Sequence, residues 1–259
     1  MSSAATRREE IYHLALTTGL ASVEELSARF KVTASTIRRD LALLNGQGRL
    51  ARTYGGAMAL GVHPEASLRQ RTGEAFEQKH AIARLAATLV RPGESIMLDA
   101  GSTVGALAHE LRSFTNLSVT TPSINTLQEL ADSEGITLDC LGGRMRSLSQ
   151  SFVGPLAEAS LERMSFDRVF FGADGVTVDA GLCEADHAQT RLKELAAQRS
   201  DHTYVLAHSA KLGQRPFHAW ARLGLPWTLI TDDYADPAEL DRFTQAGVTV
   251  EVASTSEIP

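Results

Sequence analysis

The chain has 259 residues, is 43% hydrophobic and 22% charged, and carries a formal net charge of −6. That length holds one small domain plus one medium one, or a single large domain, and the composition excludes a disordered chain. Two cysteines, Cys140 and Cys183, exclude a disulfide framework while leaving one bridge open, and no apolar run approaches the roughly 18–20 residues of a membrane span.

The net charge argues against a nucleic-acid partner, but its distribution removes the objection. Residues 1–57 carry eight Lys/Arg against five Asp/Glu, and the remainder 17 against 26. A basic head on an acidic body concentrates any polyanion contact locally and limits non-specific sticking. The first residues hold no apolar signal core, so a cytoplasmic protein is expected, associated with the nucleoid when bound to DNA.

In chain order, residues 6–16 place Ile11, Leu14 and Ala15 at helical spacing. Arg7 and Arg8 lie at its start, where the helix dipole disfavours them. They either solvate a terminus or contact phosphate. Ser22-Val-Glu-Glu25 is a capping-box pattern, and Val23, Leu26 and Phe30 form an apolar face behind it. Lys31-Val-Thr33 makes a turn with Thr33 as the next cap, and Ile37, Leu41 and Leu44 bury one stripe of a second helix. Ser35, Thr36, Arg38 and Arg39 are left outward, as a recognition helix requires: arginine pairs with guanine edges, and hydroxyls reach bases or phosphates. Gly46 and Gly48 end that helix. Arg49, Arg52 and Tyr54 then face outward on a hairpin that turns at Gly55 and Gly56. The whole reads as a winged helix-turn-helix. Residues 58–76, with Gly61, Pro64 and Gly73, read as a linker flanked by Arg71 and Lys79, with Arg71 solvated.

Beyond residue 77, short apolar runs alternate with helical ones. Strands are expected at 95–98, 117–120, 136–141, 168–171, 203–207 and 228–231, with a last one at 248–252. Helices are expected at 80–89, 104–111, 124–131, 155–164, 188–198 and 237–245. The spacing predicts βα units and a mostly parallel sheet buried on both faces. Ligands gather at the carboxyl ends of such strands. Four segments fall there: Asp99-Ala-Gly-Ser-Thr103, Thr120-Thr-Pro-Ser123, Leu141-Gly-Gly-Arg-Met145 and Gly172-Ala-Asp-Gly175. The first offers amides and hydroxyls to an anion at a helix start. No segment has the spacing of a dinucleotide fingerprint or a Walker A loop, so no cofactor is expected. Cys183, Glu184, Asp186 and His187 are close in sequence but match no established zinc spacing, so no metal is expected either.

These segments together resemble the DeoR family of bacterial transcriptional regulators. In the head the resemblance rests on RREEI, VEELSARFKVTASTIRRDL and RTYGGA. In the body it rests on DAGSTV, LGG, SFVG, FGADGV, GLC, Lys193 and AHSAKLG. The resemblance covers nearly the whole chain. It implies a DNA-binding domain over 1–57, a linker over 58–76 and an α/β sensor over 77–259, related in fold to ribose-5-phosphate isomerase. On the DNA side it implies Arg7, Ser35, Thr36, Arg38, Arg39, Arg49, Arg52 and Tyr54. On the effector side it implies Asp99, Gly101, Ser102, Thr103, Thr121, Gly142, Gly143, Asp174, Lys193 and Lys211. The implied function is repression of sugar-metabolism genes, relieved by a phosphorylated sugar, by a dimer or tetramer on double-stranded operator DNA. The alternatives are an activator, or a sugar-phosphate isomerase with an added DNA-binding head. Two departures bear on the ligand. His208 replaces the usual acidic residue near Lys211, which would favour anions at low pH. Pro122-Ser123 replaces a common Asn-Ser pair, removing an amide from the site.

Overall fold

The computed structural model describes residues 4–18, 21–46, 50–53, 56–59 and 65–256. The chain divides into two compact units, Met1–Arg71 and Thr72–Pro259.

The first unit holds α1 (Ala4–Thr18), β1 (Ala21–Ser22), α2 (Val23–Phe30), α3 (Ala34–Gly46), β2 (Leu50–Thr53) and β3 (Gly56–Ala59). The strands form an antiparallel sheet in the order β1-β3-β2, so the expected hairpin is the outer pair of a three-stranded wing. Its core is Ile11 from α1, Val23 and Leu26 from α2, and Ile37, Leu41 and Leu44 from α3, the stripes that the helical spacing selects. The backbone N–H of Thr36 donates to Thr33 Oγ1 at 3.3 Å, so Thr33 caps α3 as its residue type predicts.

The stretch expected as a linker contains a short helix, α4 (Leu68–Gly73). Its start is a capping arrangement that the sequence carried unread: Gln70 Oε1 accepts from both the backbone N–H and the hydroxyl of Ser67, each at 2.8 Å. Arg71 is not solvated. Its guanidinium lies 3.9 Å from Glu65, and both side chains are largely buried.

The second unit runs α5 (Phe76–Thr88), β4 (Ser95–Leu98), α6 (Ser102–Leu111), β5 (Leu117–Thr121), α7 (Ile124–Leu130) and β6 (Ile136–Cys140). It continues with β7 (Arg144–Arg146), β8 (Ser151–Val153), α8 (Pro155–Leu161), β9 (Phe166–Phe171), β10 (Gly175–Thr177) and β11 (Gly181–Glu184). It ends with α9 (His187–Ala197), β12 (Ser200–Leu206), a 3-10 turn at Ser209–Lys211, β13 (Ala219–Ala221), β14 (Thr228–Asp232), α10 (Pro237–Gln245) and β15 (Thr249–Ala253). Seven strands form one sheet in the order β15-β14-β12-β9-β4-β5-β6, and every pairing in it is parallel.

Alternation along the strands feeds two cores. Ile96, Leu98 and Phe170 pack with α5, α6 and α7 on one face, while Met97, Val169 and Phe171 pack with α8, α9 and α10 on the other. The chain enters this sheet at β4, builds β5 and β6 to one side, then returns to place β9 on the other. The crevice outside the carboxyl ends of β4 and β9 is therefore the switch point where such sheets bind ligands. A three-stranded antiparallel sheet, β10-β11-β13, and the hairpin β7-β8 stand beside it.

Candidate functional site

On the DNA side, α3 divides cleanly. Ile37, Asp40, Leu41 and Leu44 are buried, and Ser35, Arg38, Arg39, Ala42 and Leu43 are exposed. Thr36 is half-buried. The hydroxyls of Ser35 and Thr36 lie 2.9 and 3.0 Å from Thr33 Oγ1, which ties both to the cap while leaving each a spare acceptor. The outward face is thus a row of hydroxyls and two guanidiniums on a rigid helix.

Arg7 does not belong to that face. Its Nε donates to Asp40 Oδ2 at 2.7 Å, and Arg8 lies 3.6 Å from the other oxygen of Asp40. The Arg7 side chain is only 12% exposed. Asp40 is buried in α3, so its charge needs a partner, and α1 supplies it. Arg7 therefore ties α1 to α3. Arg52 lies in β2, but its side chain, and Arg49, Gly48, Tyr54, Gly55, Gly61 and Pro64 altogether, lie outside the described residues.

In the sensor, the strand ends bring most of the candidates together. Asp99 follows β4, and Gly172 and Asp174 follow β9. Lys193 on α9 is 1% exposed, far from a solvated helix face. Its ammonium donates to the Asp99 carboxylate, to Gly172 O at 2.6 Å, and lies 2.9 Å from Glu184 Oε1. Burial alone would discharge this ammonium, but the two carboxylates outweigh it and push the Lys193 pKa up. Glu184 is the member that sequence reasoning considered only as a metal ligand. Its burial pushes its carboxyl up to about 7. Lys193 opposes that shift, and Asp174 and Asp99 reinforce it. The pattern Gly181-Leu-Cys-Glu184, a carboxylate ending an apolar strand, was the available signal.

Two expected ligand residues turn out to join pieces of the scaffold. Thr121 is fully buried. Its hydroxyl donates to Leu98 O at 2.6 Å and accepts from Ser123 N–H at 3.0 Å, locking the ends of β4 and β5 together. Gly143 has φ 128°, and a Cβ there would sit 2.9 Å from Val153 O, so this glycine permits close packing on β8. Gly142, beside it, is exposed and faces open space.

Gly101 is different. It precedes α6 with φ 146°, a conformation that L side chains rarely adopt, and a Cβ there would meet nothing within 4 Å. The first turn of α6 (Ser102 half-buried, Thr103 buried) is therefore open above its amides. A cavity of about 200 Å³ opens beside it, walled by Phe76 and Lys79 of α5, Ser102 and Gly105 of α6, and Asn125 and Glu129 of α7.

Lysines converge on the same end of the sheet. The Lys211 ammonium donates to Ala173 O. Lys79 is 3% exposed and donates to Glu74 O at 2.6 Å. Both act on His208, at the end of β12. Burial first, then Lys211 and Lys79, lower its pKa to about 4 against the pull of Asp232. The expectation that His208 would favour anions at low pH is therefore confined to pH below about 4, because burial and the two lysines keep the ring neutral above it. Lys79 was read in the sequence only as a flank of the linker.

Of the residues weighed as metal ligands, Cys183, Glu184 and Asp186 have other partners. Cys183 is buried, its thiol is pushed up to about 11 by that burial, and its Sγ lies 3.4 Å from Phe217 O. Asp186 caps α9 by accepting from Ala188 N–H at 2.8 Å.

Residues 7–61 match the DeoR-like helix-turn-helix domain, and residues 74–233 match the DeoR C terminal sensor domain. The chain belongs to the DeoR family. As a DeoR-family protein it is a DNA-binding transcriptional regulator. It is 35% identical over 245 residues to the lactose phosphotransferase system repressor of Streptococcus mutans, across 92% of this chain and 97% of that one. It is 31% identical to a putative aga operon transcriptional repressor of Escherichia coli O157:H7 (94% and 92% covered) and 32% identical to the transcriptional repressor GlcR of Bacillus subtilis (91% and 91%). Among solved structures, a D-ribose-5-phosphate isomerase in complex with phospho-erythronic acid aligns over 53% of this chain and 54% of its own, at 17% identity and a TM-score of 0.40.

Proposed function

We propose that this DeoR-family regulator is a repressor of carbohydrate genes whose sensor binds a phosphorylated sugar at the carboxyl ends of β4, β9 and β12. The observation that carries the reading is the open first turn of α6, created by Gly101, at the same end of the sheet as Lys79 and Lys211. Amide donors and ammonium groups at one place suit a phosphate, and the adjoining cavity with Asn125 and Glu129 suits sugar hydroxyls. Three relatives named as repressors, one of a lactose phosphotransferase system, support the direction of control.

Binding without turnover is the mode proposed. Acid–base chemistry needs a carboxylate or imidazole that exchanges protons with substrate. Here Glu184, although raised to about 7, is buried and shares the Lys193 ammonium with Asp99, and His208 is neutral and flanked by lysines. In this reading residues 1–57 bind DNA, 77–259 sense the effector, and a dimer or tetramer reads repeated half-sites.

The test is a titration of labelled upstream DNA with the purified protein, followed by hexose and pentose monophosphates and their unphosphorylated parents. One monophosphate is expected to raise the melting temperature with concentration and to release the DNA, and its parent sugar to do neither. If every monophosphate leaves both readouts unchanged, the sensor reading is wrong.

A further inference from the structure

The outward side of α3 carries one residue that the polar reading of this helix leaves without a role. Leu43 is 46% exposed and lies outside the apolar core of its unit, which Ile37, Leu41 and Leu44 already complete. On a helix, positions four apart form a ridge. Ser35, Arg39 and Leu43 are one such ridge and Arg38 and Ala42 the next, and all five side chains are exposed. At 1.5 Å per residue, Ser35 and Leu43 are about 12 Å apart along the helix axis, or roughly three to four base-pair steps. The ridge therefore presents a hydroxyl, a guanidinium and an isobutyl group in succession to whatever the helix faces.

The charge around Leu43 says what that is. Arg38 and Arg39 precede it on the same exposed side, in a segment with an excess of Lys/Arg over Asp/Glu. An apolar group one turn beyond an exposed arginine on the same ridge suits a polyanion with apolar points on it. In the major groove only thymine offers one, its 5-methyl group, beside the acceptors that arginine reads on guanine.

We propose that Leu43 packs on a thymine methyl in each operator half-site and fixes thymine at a position within about four base pairs of the base or phosphate that Ser35 meets. The inference rests on DNA binding by the helix-turn-helix and adds a specificity-determining residue to it.

The test replaces single methyl groups in DNA. The full-length protein first selects its site from a random duplex pool, and the site is resynthesised with each thymine in one half-site changed in turn to deoxyuridine. Losing one buried methyl is expected to weaken binding about fourfold at one position. Leu43→Ala, which keeps a strong helix former, is expected to bind the thymine duplex more weakly by a similar factor and to show no thymine-to-uracil difference there. Arg38→Ala is expected to bind more weakly yet keep that difference. The proposal is overturned if no thymine is sensitive to its methyl group. It is also overturned if Leu43→Ala retains the full uracil penalty, or if it weakens both duplexes alike while changing the oligomeric state, which would place Leu43 in contact with a second copy. Failure to select any site would count against DNA binding itself and is distinct from all three.

Discussion

Lys193 is the side chain on which the sensor's electrostatics turn, because one ammonium serves two buried carboxylates. Replacing it by methionine keeps the volume and leaves Asp99 and Glu184 facing each other without a cation. A loss of about 3–5 kcal/mol is expected, the usual cost of removing one member of a buried ionic group. Both tryptophans, Trp220 and Trp227, lie in the second unit, so their fluorescence during urea unfolding reports the sensor alone.

The two shifted groups nearby give stability opposite slopes with pH. Glu184, raised from 4.5 to about 7, holds its proton in the folded state. Its contribution is complete below about 4.5 and disappears as pH rises through 7. His208, lowered from 6.5 to about 4, resists protonation in the folded state. Its contribution is complete above 6.5 and disappears as pH falls through 4. Where the windows overlap the two contributions oppose each other. Single variants separate the two effects. The stability of the native protein relative to Glu184→Gln should fall between pH 5 and 7.5. Relative to His208→Asn it should rise between pH 4.5 and 6.5. Parallel curves for either variant would show that the corresponding group has an ordinary pKa.

At the scale of elements, α6 depends on the glycine before it. Gly101→Ala is expected to cost about 1–3 kcal/mol through backbone strain at φ 146°, although no neighbour would clash with the methyl group. It should also weaken release of DNA by the effector, because the open first turn is then covered. Chemical unfolding and DNA-release titration measure the two effects separately. A helix with both a cap and a period was legible in the sequence. The stretch 237–245 was expected as a helix and is one, since Asp236 caps it, Pro237 begins it and Phe243 anchors its inner face. The strands β10, β11 and β13, three or four residues long, were not among the expected elements. Thr121 and Gly143 show the limit within a site. Residue type said that a hydroxyl and a flexible backbone were present, but their partners, Leu98 O and Val153 O, come from other strands and are fixed only by the fold.

For the whole molecule, the separation of charge sets the response to salt. The affinity for DNA should fall steeply with ionic strength despite the acidic net charge, because released counterions reflect local phosphate contacts and not the protein's total. An arginine that contacts phosphate lowers the slope of log affinity against log salt by about 1 when replaced by alanine, whereas one that reads a base mainly relaxes specificity. Measured on Arg38→Ala and Arg39→Ala, the slopes assign the two guanidiniums. Equal slopes and unchanged specificity in both variants would remove α3 from the interface.

The strand order also has a consequence during synthesis. The helix-turn-helix closes its core between residues 11 and 44, near in sequence, and leaves the ribosome early. The interior strand β4 must wait for β9, the central strand of the seven, and the Glu94–Arg168 clasp that joins their amino ends spans 74 residues. A nascent chain therefore makes its DNA-reading part well before its sheet has a middle. A message cut short between the codons for β4 and β9 would encode the head without the means to hear the effector.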